Sequence, residues 1–431
     1  MPLWRMIRTA IRLVGFRLGG AAIGLISQVV LARLLPQPDV GVILMAMSAA
    51  ALISLVMSAG YPSLAMTCLP RYYALGRSNL VKAFYSALWH DTIIMTLVAI
   101  AVVTLVVLTG HFESGINTAL IFGCMTAPAS ALIRITSSTA NSLRRFSLSY
   151  IPDFLFRPGM MMAYLVIAWA SGWTLPVSSV LWALVLVTAI VAIGQAIVMG
   201  REGPLPHFFD RTRHKLAPLL RGRAGSLVIV GAISASFADI VTLVGGVFLP
   251  AHDVAQLGVA IRLAALAGFV TQATQQFILP DLTAAITKGV RRDVESLLFR
   301  INLIALTAIA GCVLGAIFFG PLILKVFGGE YASAHWPLVL FMVSQLFRAA
   351  GGMNQYLLSI DGFQGRTANS CIFAVAVLVG VATLLTPVYG VMGMAMAVVI
   401  ADFCWAAILG LQAQRYAGYR GDILAVLHFQ R

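Results

Sequence analysis

Charged residues are scarce in this chain, and long polar stretches are nearly missing. Only 10% of its 431 residues are charged, 60% are hydrophobic, and the mean hydropathy is +0.94. Soluble domains carry about 25% charged residues, so this composition excludes an ordinary soluble enzyme or binding domain. The scarcity of charge indicates a chain that lies largely within a lipid bilayer.

Alternation of polar and apolar residues is also missing, which excludes the strands of a membrane barrel. Helices satisfy every backbone polar group inside lipid, and crossing the hydrocarbon core takes about 20 apolar residues. We therefore predict an all-α, polytopic membrane protein with about twelve transmembrane helices in two six-helix bundles. The predicted spans are roughly 13–35, 41–63, 84–110, 116–140, 151–172, 178–199, 225–249, 254–279, 297–320, 334–358, 368–387 and 390–413.

Paired cysteines, histidine clusters and nucleotide-binding motifs are missing as well. Five scattered cysteines with no CxxC pair predict neither a disulfide framework nor a metal site. The phosphate-binding pattern GxxxxGK[ST] does not occur. We therefore expect no metal and no cofactor.

Acidic residues are few beside basic ones, with 15 Asp and Glu against 29 Lys and Arg and a net charge of +14. In a soluble protein this balance would suggest nucleic acid, but here the basic residues concentrate in alternate loops. Cytoplasmic loops of membrane proteins show this bias. We expect an inner-membrane protein with both termini cytoplasmic, and no nucleic-acid partner.

The longest basic connection divides the predicted chain into two halves. We predict an N-terminal six-helix half over 1–200, a cytoplasmic basic linker over 201–224, and a C-terminal six-helix half over 225–431 with a short cytoplasmic tail. The linker is too short to hold an ATPase domain.

One short turn occurs twice. LARLLPQPDVG at 31–41 is matched by GVFLPAHDVA at 246–255, with Pro36 and Pro250 lying 214 positions apart. Both copies precede the second helix of a predicted half, which indicates two halves of one orientation related by an axis along the membrane normal. We interpret Asp39 and Asp253 as caps of the helices that follow.

The same offset links two arginines inside predicted helices, in SALIR at 130–134 and SQLFR at 344–348. Polar residues recur around each arginine at helical spacing, which places a polar stripe away from lipid. These stripes consist of Ser130, Arg134, Ser137 and Asn141, and of Ser344, Arg348, Gly351, Gln355 and Ser359.

A third arginine, Arg262, lies in the eighth predicted helix. Each intramembrane arginine costs about 2.5–3.5 kcal/mol on insertion scales, so compensation is required. One interpretation is internal pairing with Asp91, Asp239 and Asp402. The other is a water-filled cationic cavity between the halves that binds an anion, since guanidinium groups suit phosphate oxygens.

Several segments together resemble the polysaccharide-unit (Wzx-type) flippases of the MOP superfamily, which also contains MATE drug exporters and lipid II flippases. They are the basic amphipathic N-terminus, the turn at 31–41, SAGYPSLAM at 58–66 and LRRF at 143–146. The resemblance implies a MATE-like fold and no enzymatic activity.

The resemblance also implies a function. Proteins of this family move an undecaprenyl-pyrophosphate-linked oligosaccharide to the outer leaflet by alternating access, for O-antigen, capsule or exopolysaccharide synthesis. Arg134, Arg262 and Arg348 suit contacts with this anionic substrate. Membrane lipids, a polymerase and other polysaccharide-assembly proteins would be the further partners.

Two other classes stay open. A MATE-like ion-coupled drug exporter would carry an acidic cation site in its first helix, yet 13–35 has no acid. Asp239 could still bind a coupling ion, and Asp91 and Asp402 are further coupling candidates. A membrane-embedded polymerase or ligase would place catalytic residues on a large outer loop, whereas the longest predicted outer connection, about 321–333, is short.

Overall fold

The structure is a computed structural model that describes residues 3–110, 113–202, 233, 236–288, 291–360, 362–418 and 421–422. Throughout this described part the regular structure is helical, without strands. The chain forms two compact units, Met1–Val228 and Ile229–Arg431. The predicted linker 201–224 lies almost wholly outside the described residues, so the position of the boundary stays a prediction.

The described residues of the N-terminal unit form eight helices. Among them, α5 is central and packs against α2, α3 and α8. Its contact with α2 is close because Gly123 of α5 faces Ala49, leaving no room for a larger side chain. The helices are α1 Leu3–Leu34, α2 Gln37–Met57, α3 Tyr61–Ala74, α4 Ser78–Leu108, α5 Ser114–Ser142, α6 Phe146–Ile151, α7 Arg157–Ala170 and α8 Val177–Glu202, with a π turn between α6 and α7.

In the C-terminal unit, α12 is central and packs against α10, α11 and α14. Its described helices are α9 Ser236–Phe248, α10 Ala251–Lys288, α11 Arg291–Lys325, α12 His335–Ala350, α13 Asn354–Ile360 and α14 Gln364–Gln412. A 3-10 turn over Gly329–Ala334 precedes α12, and a π turn over Ala413–Ala417 follows α14.

The long helix α14 contains two predicted spans, 368–387 and 390–413. Gly390 is non-helical, with φ 58° and ψ −136°, and divides α14 into two arms. Gly393 lies directly against the backbone of Leu385, so the chain folds back at this point. A positive φ at Gly390 is a conformation that glycine adopts without steric cost.

Seven helices within the described residues are long and apolar enough to cross a membrane, and α14 accounts for two predicted spans. Of the other four predicted spans, 13–35 and 254–279 lie on α1 and α10, and 334–358 is divided between α12 and α13. The span 225–249 is described only in part, where α9 begins at Ser236. Large apolar side chains are exposed along α4 and α11, including Leu105 at 64% and Phe318 at 73%. Exposed apolar surface of this extent matches contact with lipid, and the protein is a multi-pass helical membrane protein.

The repeated turn folds alike in both units. Helix α2 begins at Gln37 and α10 at Ala251, again 214 positions apart. In each copy the proline carbonyl accepts the first two helical bonds, with Asp39 N–H to Pro36 O at 3.1 Å and Asp253 N–H to Pro250 O at 3.0 Å. The interpretation of Asp39 as a cap is wrong, because Pro36 is the capping residue and no side chain caps α2. Both aspartates lie in the first helical turn, where a negative charge interacts favourably with the helix dipole.

The second predicted span ends earlier than expected. Helix α2 stops at Met57, and Ala59 and Gly60 then adopt left-handed conformations with φ 47° and 74°. A new helix begins at Tyr61 because Pro62 fits the first turn of a helix and cannot continue a preceding one.

Candidate functional site: a polar cavity in the C-terminal unit

An open cavity of about 260 Å³ lies within the C-terminal unit, among α10, α12, α13 and α14. Its lining is polar on one side and aromatic on another. The chemically active side chains are Thr271, Gln272 and Gln275 of α10, Gln345 and Arg348 of α12, Gln355 and Tyr356 of α13, and Trp405 of α14.

Helical spacing explains how α10 presents its polar groups. Gly268, Thr271, Gln272 and Gln275 follow the i, i+3, i+4, i+7 pattern, so they share one face of the helix. The small residue at 268 leaves space for the Gln345 amide oxygen, which lies 2.8 Å from where a β-carbon would stand. The face of α10 that meets α12 is therefore polar and closely fitted.

A break between α12 and α13 brings further groups to the cavity. Helix α12 ends at Ala350, and Gly352 has a φ of 58°. Gln275 Nε2 donates to the carbonyl of Gly352 at 3.0 Å and so ties α10 to the break. The break ends where α13 begins at Asn354, and it redirects the chain so that Gln355 lies at the cavity wall.

Arg348 is the charged group of the cavity. Its Nη1 lies 3.5 Å from Asp402 Oδ1, with side-chain exposures of 21% and 3% respectively. The guanidinium carbon also lies 4.9 Å from the ring centre of Trp405 and 5.2 Å from that of Phe237. Two aromatic faces and one carboxylate hold the guanidinium in place, while part of it stays open to the cavity.

Some polar atoms at the cavity have no protein partner. Thr271 Oγ1 and Trp405 Nε1 are buried and form no hydrogen bond with the described residues. Buried polar groups are usually satisfied, and exceptions require an explanation such as a ligand or water. The cavity therefore has hydrogen-bonding capacity that its own side chains leave unused.

The other predicted arginine of this unit lies elsewhere. Arg262 is on α10, nearly two turns before Gly268, and it does not line the cavity. Asp239 of α9 has a favourable Coulombic interaction with it. Its Nη1 is buried and forms no hydrogen bond with the described part of the chain.

In the N-terminal unit, Arg134 is half-buried on α5. One turn further along α5, Ser137 accepts a hydrogen bond of 2.9 Å from Gln195 Nε2 of α8. The predicted polar stripe of α5 is thus engaged at least partly in helix packing. That Arg134 and Arg348 share one central space stays a prediction.

The third predicted acid, Asp91, lies in the N-terminal unit. It is 5% exposed on α4 and accepts a 2.9 Å hydrogen bond from the Tyr61 hydroxyl. His90 Nδ1 lies 3.2 Å from its other carboxylate oxygen. This cluster joins α4 to the start of α3 just after the break at Gly60.

The interpretation of the arginines as internally paired has structural counterparts among the described residues, whereas a cationic cavity between the two halves stays a prediction. Asp402 forms an ion pair with Arg348, and Asp239 has a favourable Coulombic interaction with Arg262, as internal pairing requires. Arg348 nevertheless also lines a polar cavity. Sequence reasoning missed Thr271, Gln272, Gln275, Gln345 and Trp405, although the spacing along α10 carried a signal for three of them.

No protein-family description and no curated protein matches the chain, but solved structures share its fold. The lipid II flippase MurJ, in an inward closed conformation, superposes with a TM-score of 0.74 at 14% identity, covering 94% of this chain and 87% of the flippase. An inward-facing multidrug resistance MATE transporter of the MOP superfamily gives 0.69 at 15% identity, with coverages of 92% and 94%.

A third structure is a MOP superfamily transporter from Pyrococcus furiosus, described as having a binding pocket of reversed polarity. It gives a TM-score of 0.55 at 14% identity and covers 95% of each chain. These likenesses show that the chain has the fold of MOP superfamily transporters. The expected MATE-like architecture is thereby confirmed.

Proposed function

We propose that this protein flips an undecaprenyl-pyrophosphate-linked oligosaccharide repeat unit across the bacterial inner membrane for surface polysaccharide synthesis. The two units would alternate access to the substrate, with the termini in the cytoplasm. Arg134, Arg262 and Arg348 would contact the anionic substrate. A transporter fold that also occurs in a lipid II flippase supports this proposal.

The observation that carries the proposal is the chemistry of the cavity wall. Its charged member is Arg348, and none of the described lining residues is acidic. Asp402, which compensates that charge, is 3% exposed and is not among the described lining residues. A wall that binds cationic drugs through opposite charge would present acids, whereas the described wall presents uncharged amides and a cation whose charge Asp402 compensates. This chemistry suits a hydroxylated substrate such as an oligosaccharide.

The membrane potential would assist such transport. A pyrophosphate carrying two negative charges moves toward the positive outer side, which favours export by about 4–5 kcal/mol per 100 mV. Asp91, Asp239 and Asp402 are the candidates for any ion coupling. Transport driven only by the potential would need none of them to change its protonation.

An ion-coupled drug exporter is the second candidate, because one observation favours it. Asp91 is a buried carboxylate beside an aromatic hydroxyl and an imidazole, an arrangement that can hold and release a proton. A MATE exporter also shares the fold. The solved neighbours are transporters, so a polymerase or ligase activity has less support than either.

Deletion of the gene tests the proposal. Cells lacking the protein should lose surface polysaccharide and accumulate lipid-linked sugar units in the inner leaflet. The wild-type chain should restore both, and Arg348→Ala should not when the two are compared at equal amounts in the membrane. Arg300→Ala, which removes an exposed arginine of α11, is the matched control and should restore both.

Lysine at position 348 should rescue only in part, since it keeps the charge but loses the planar fork of five donors. Unchanged polysaccharide in the deletion strain, together with greater sensitivity to cationic dyes, would reject the flippase and support the exporter.

A further inference from the structure

The polar cavity of the C-terminal unit has a chemistry that differs from that of a phosphate site. Phosphate sites concentrate positive charge or backbone N–H groups around the ligand. Here Arg348 is the one cation among the described lining residues, and Asp402 at 3.5 Å offsets its charge. The remaining polar lining of the described cavity consists of neutral amides and hydroxyls.

Neutral amides around an aromatic face are suited to a hydroxylated ring. Each glutamine amide offers donors and an acceptor, so it can satisfy a hydroxyl that both donates and accepts. The cavity brings Gln272, Gln345 and Gln355 to one space with the Trp405 indole. The apolar face of a sugar ring can pack on an indole while its hydroxyls reach the amides.

Two atoms specify where such a ring would bind. Thr271 is 8% exposed, lines the cavity, and has no hydrogen-bond partner for its hydroxyl among the described residues. The Trp405 Nε1–H is likewise buried and unsatisfied among the described residues. An unsatisfied buried polar group is costly, and the hydroxyls of a ring bound between α10 and α14 could satisfy both groups.

The size of the cavity limits the ligand. At about 260 Å³ it is smaller than the roughly 300–1,000 Å³ of sites for drug-sized ligands. The space suits one sugar ring, and the open side of the cavity leaves room for neighbouring rings to project outward.

We propose that this cavity is a subsite for one uncharged sugar ring of the transported oligosaccharide, and that it does not hold the pyrophosphate. The inference rests on the proposed flippase function and assigns the sugar to the C-terminal unit. Thr271, Gln345 and Trp405 are its specificity-determining residues. Arg348 acts in it as a fixed hydrogen-bond donor toward ring hydroxyls.

The test uses the full chain in lipid nanodiscs and two probes. One is the oligosaccharide that mild acid releases from the lipid-linked pool of the deletion strain. This released oligosaccharide no longer carries pyrophosphate. The other is inorganic pyrophosphate. Saturation-transfer NMR should show the oligosaccharide binding reversibly, and pyrophosphate should not displace it.

Two conservative variants with matched controls locate the binding. Thr271→Val removes one hydroxyl and keeps the shape, and Trp405→Phe removes the indole N–H and keeps an aromatic ring. Each should weaken oligosaccharide binding about 5- to 10-fold. Thr307→Val and Trp336→Phe make the same changes at exposed positions outside the cavity and should leave the affinity unchanged.

Displacement by pyrophosphate, or equal affinities in all four variants, would overturn the sugar subsite while leaving the flippase proposal standing. Failure of the proposed function shows differently, since the deletion strain would then accumulate no lipid-linked pool from which to release the probe.

Discussion

Arg348 and Asp402 form a pair whose two members differ sharply in burial, and this difference predicts unequal costs of removing them. Asp402 is 3% exposed, and its Oδ2 has no hydrogen-bond partner among the described residues. Removing Arg348 strands this carboxylate in the interior. Breaking a buried pair in this way costs about 3–5 kcal/mol.

Removing Asp402 should cost less than removing Arg348, because the arginine keeps other groups that stabilise its charge. Arg348 is 21% exposed, opens onto a polar cavity, and packs on the rings of Trp405 and Phe237. Water and the two aromatic faces can still stabilise its charge, so Asp402→Asn should cost only about 1–2 kcal/mol. Arg348→Met, which keeps most of the side-chain volume, should cost about twice as much or more.

The measurement is the free energy of unfolding of the purified protein in mixed detergent micelles. The double variant should be more stable than the sum of the single effects predicts, with a coupling of roughly 2 kcal/mol. Arg300→Met on the exposed face of α11 should change the free energy by less than about 0.5 kcal/mol. Additive effects, or a larger loss for Asp402→Asn than for Arg348→Met, would refute the reasoning.

Two further predictions concern the charge at the start of α2 and the glycine between α12 and α13. Asp39→Ala should lower the free energy of unfolding by about 0.3–1 kcal/mol through the lost dipole interaction, more at low salt than at high salt, and a salt-independent loss would contradict this. Gly352→Ala should cost more than about 2 kcal/mol, because its β-carbon would meet the carbonyl oxygen of Gly421 and its φ is 58°. Gly311→Ala, at a helical position with open space, should be neutral or stabilising by up to about 1 kcal/mol, and equal losses for the two glycine variants would disprove the close contact.

Much of the fold was predictable because lipid leaves the backbone few choices. A run of about 20 apolar residues has to become a helix. The repeat at offset 214 indicated that a helix starts near each copy of the turn, and the structure begins these helices at Gln37 and Ala251, a few residues before the predicted spans. The break at Gly60 was missed, since apolar residues continue through 41–63 and only Gly60 and Pro62 indicated an interruption.

The site was predictable only in part. Arg348 was identifiable because a charge in an apolar helix is costly, and its stripe correctly included Gly351 and Gln355. The uncharged members carry no such cost, so Trp405 could not be told from a lipid-facing aromatic residue. Which acid accompanies which arginine depends on the packing of α9, α10, α12 and α14, which apolar periodicity does not specify.

The central claim is that this chain moves an anionic lipid-linked oligosaccharide between leaflets, and reconstitution tests it most directly. Proteoliposomes would receive lipid-linked units from the deletion strain, and an impermeant glycosidase would report which leaflet holds the sugar. The measured quantity is the rate at which the sugar changes leaflets, under a membrane potential that is positive on the destination side. Wild-type protein and Arg300→Ala should move the sugar at equal rates. Arg348→Ala should move it no faster than it moves in protein-free vesicles. Equal rates in protein-free and wild-type vesicles, or an Arg348→Ala rate equal to wild type, would contradict the account.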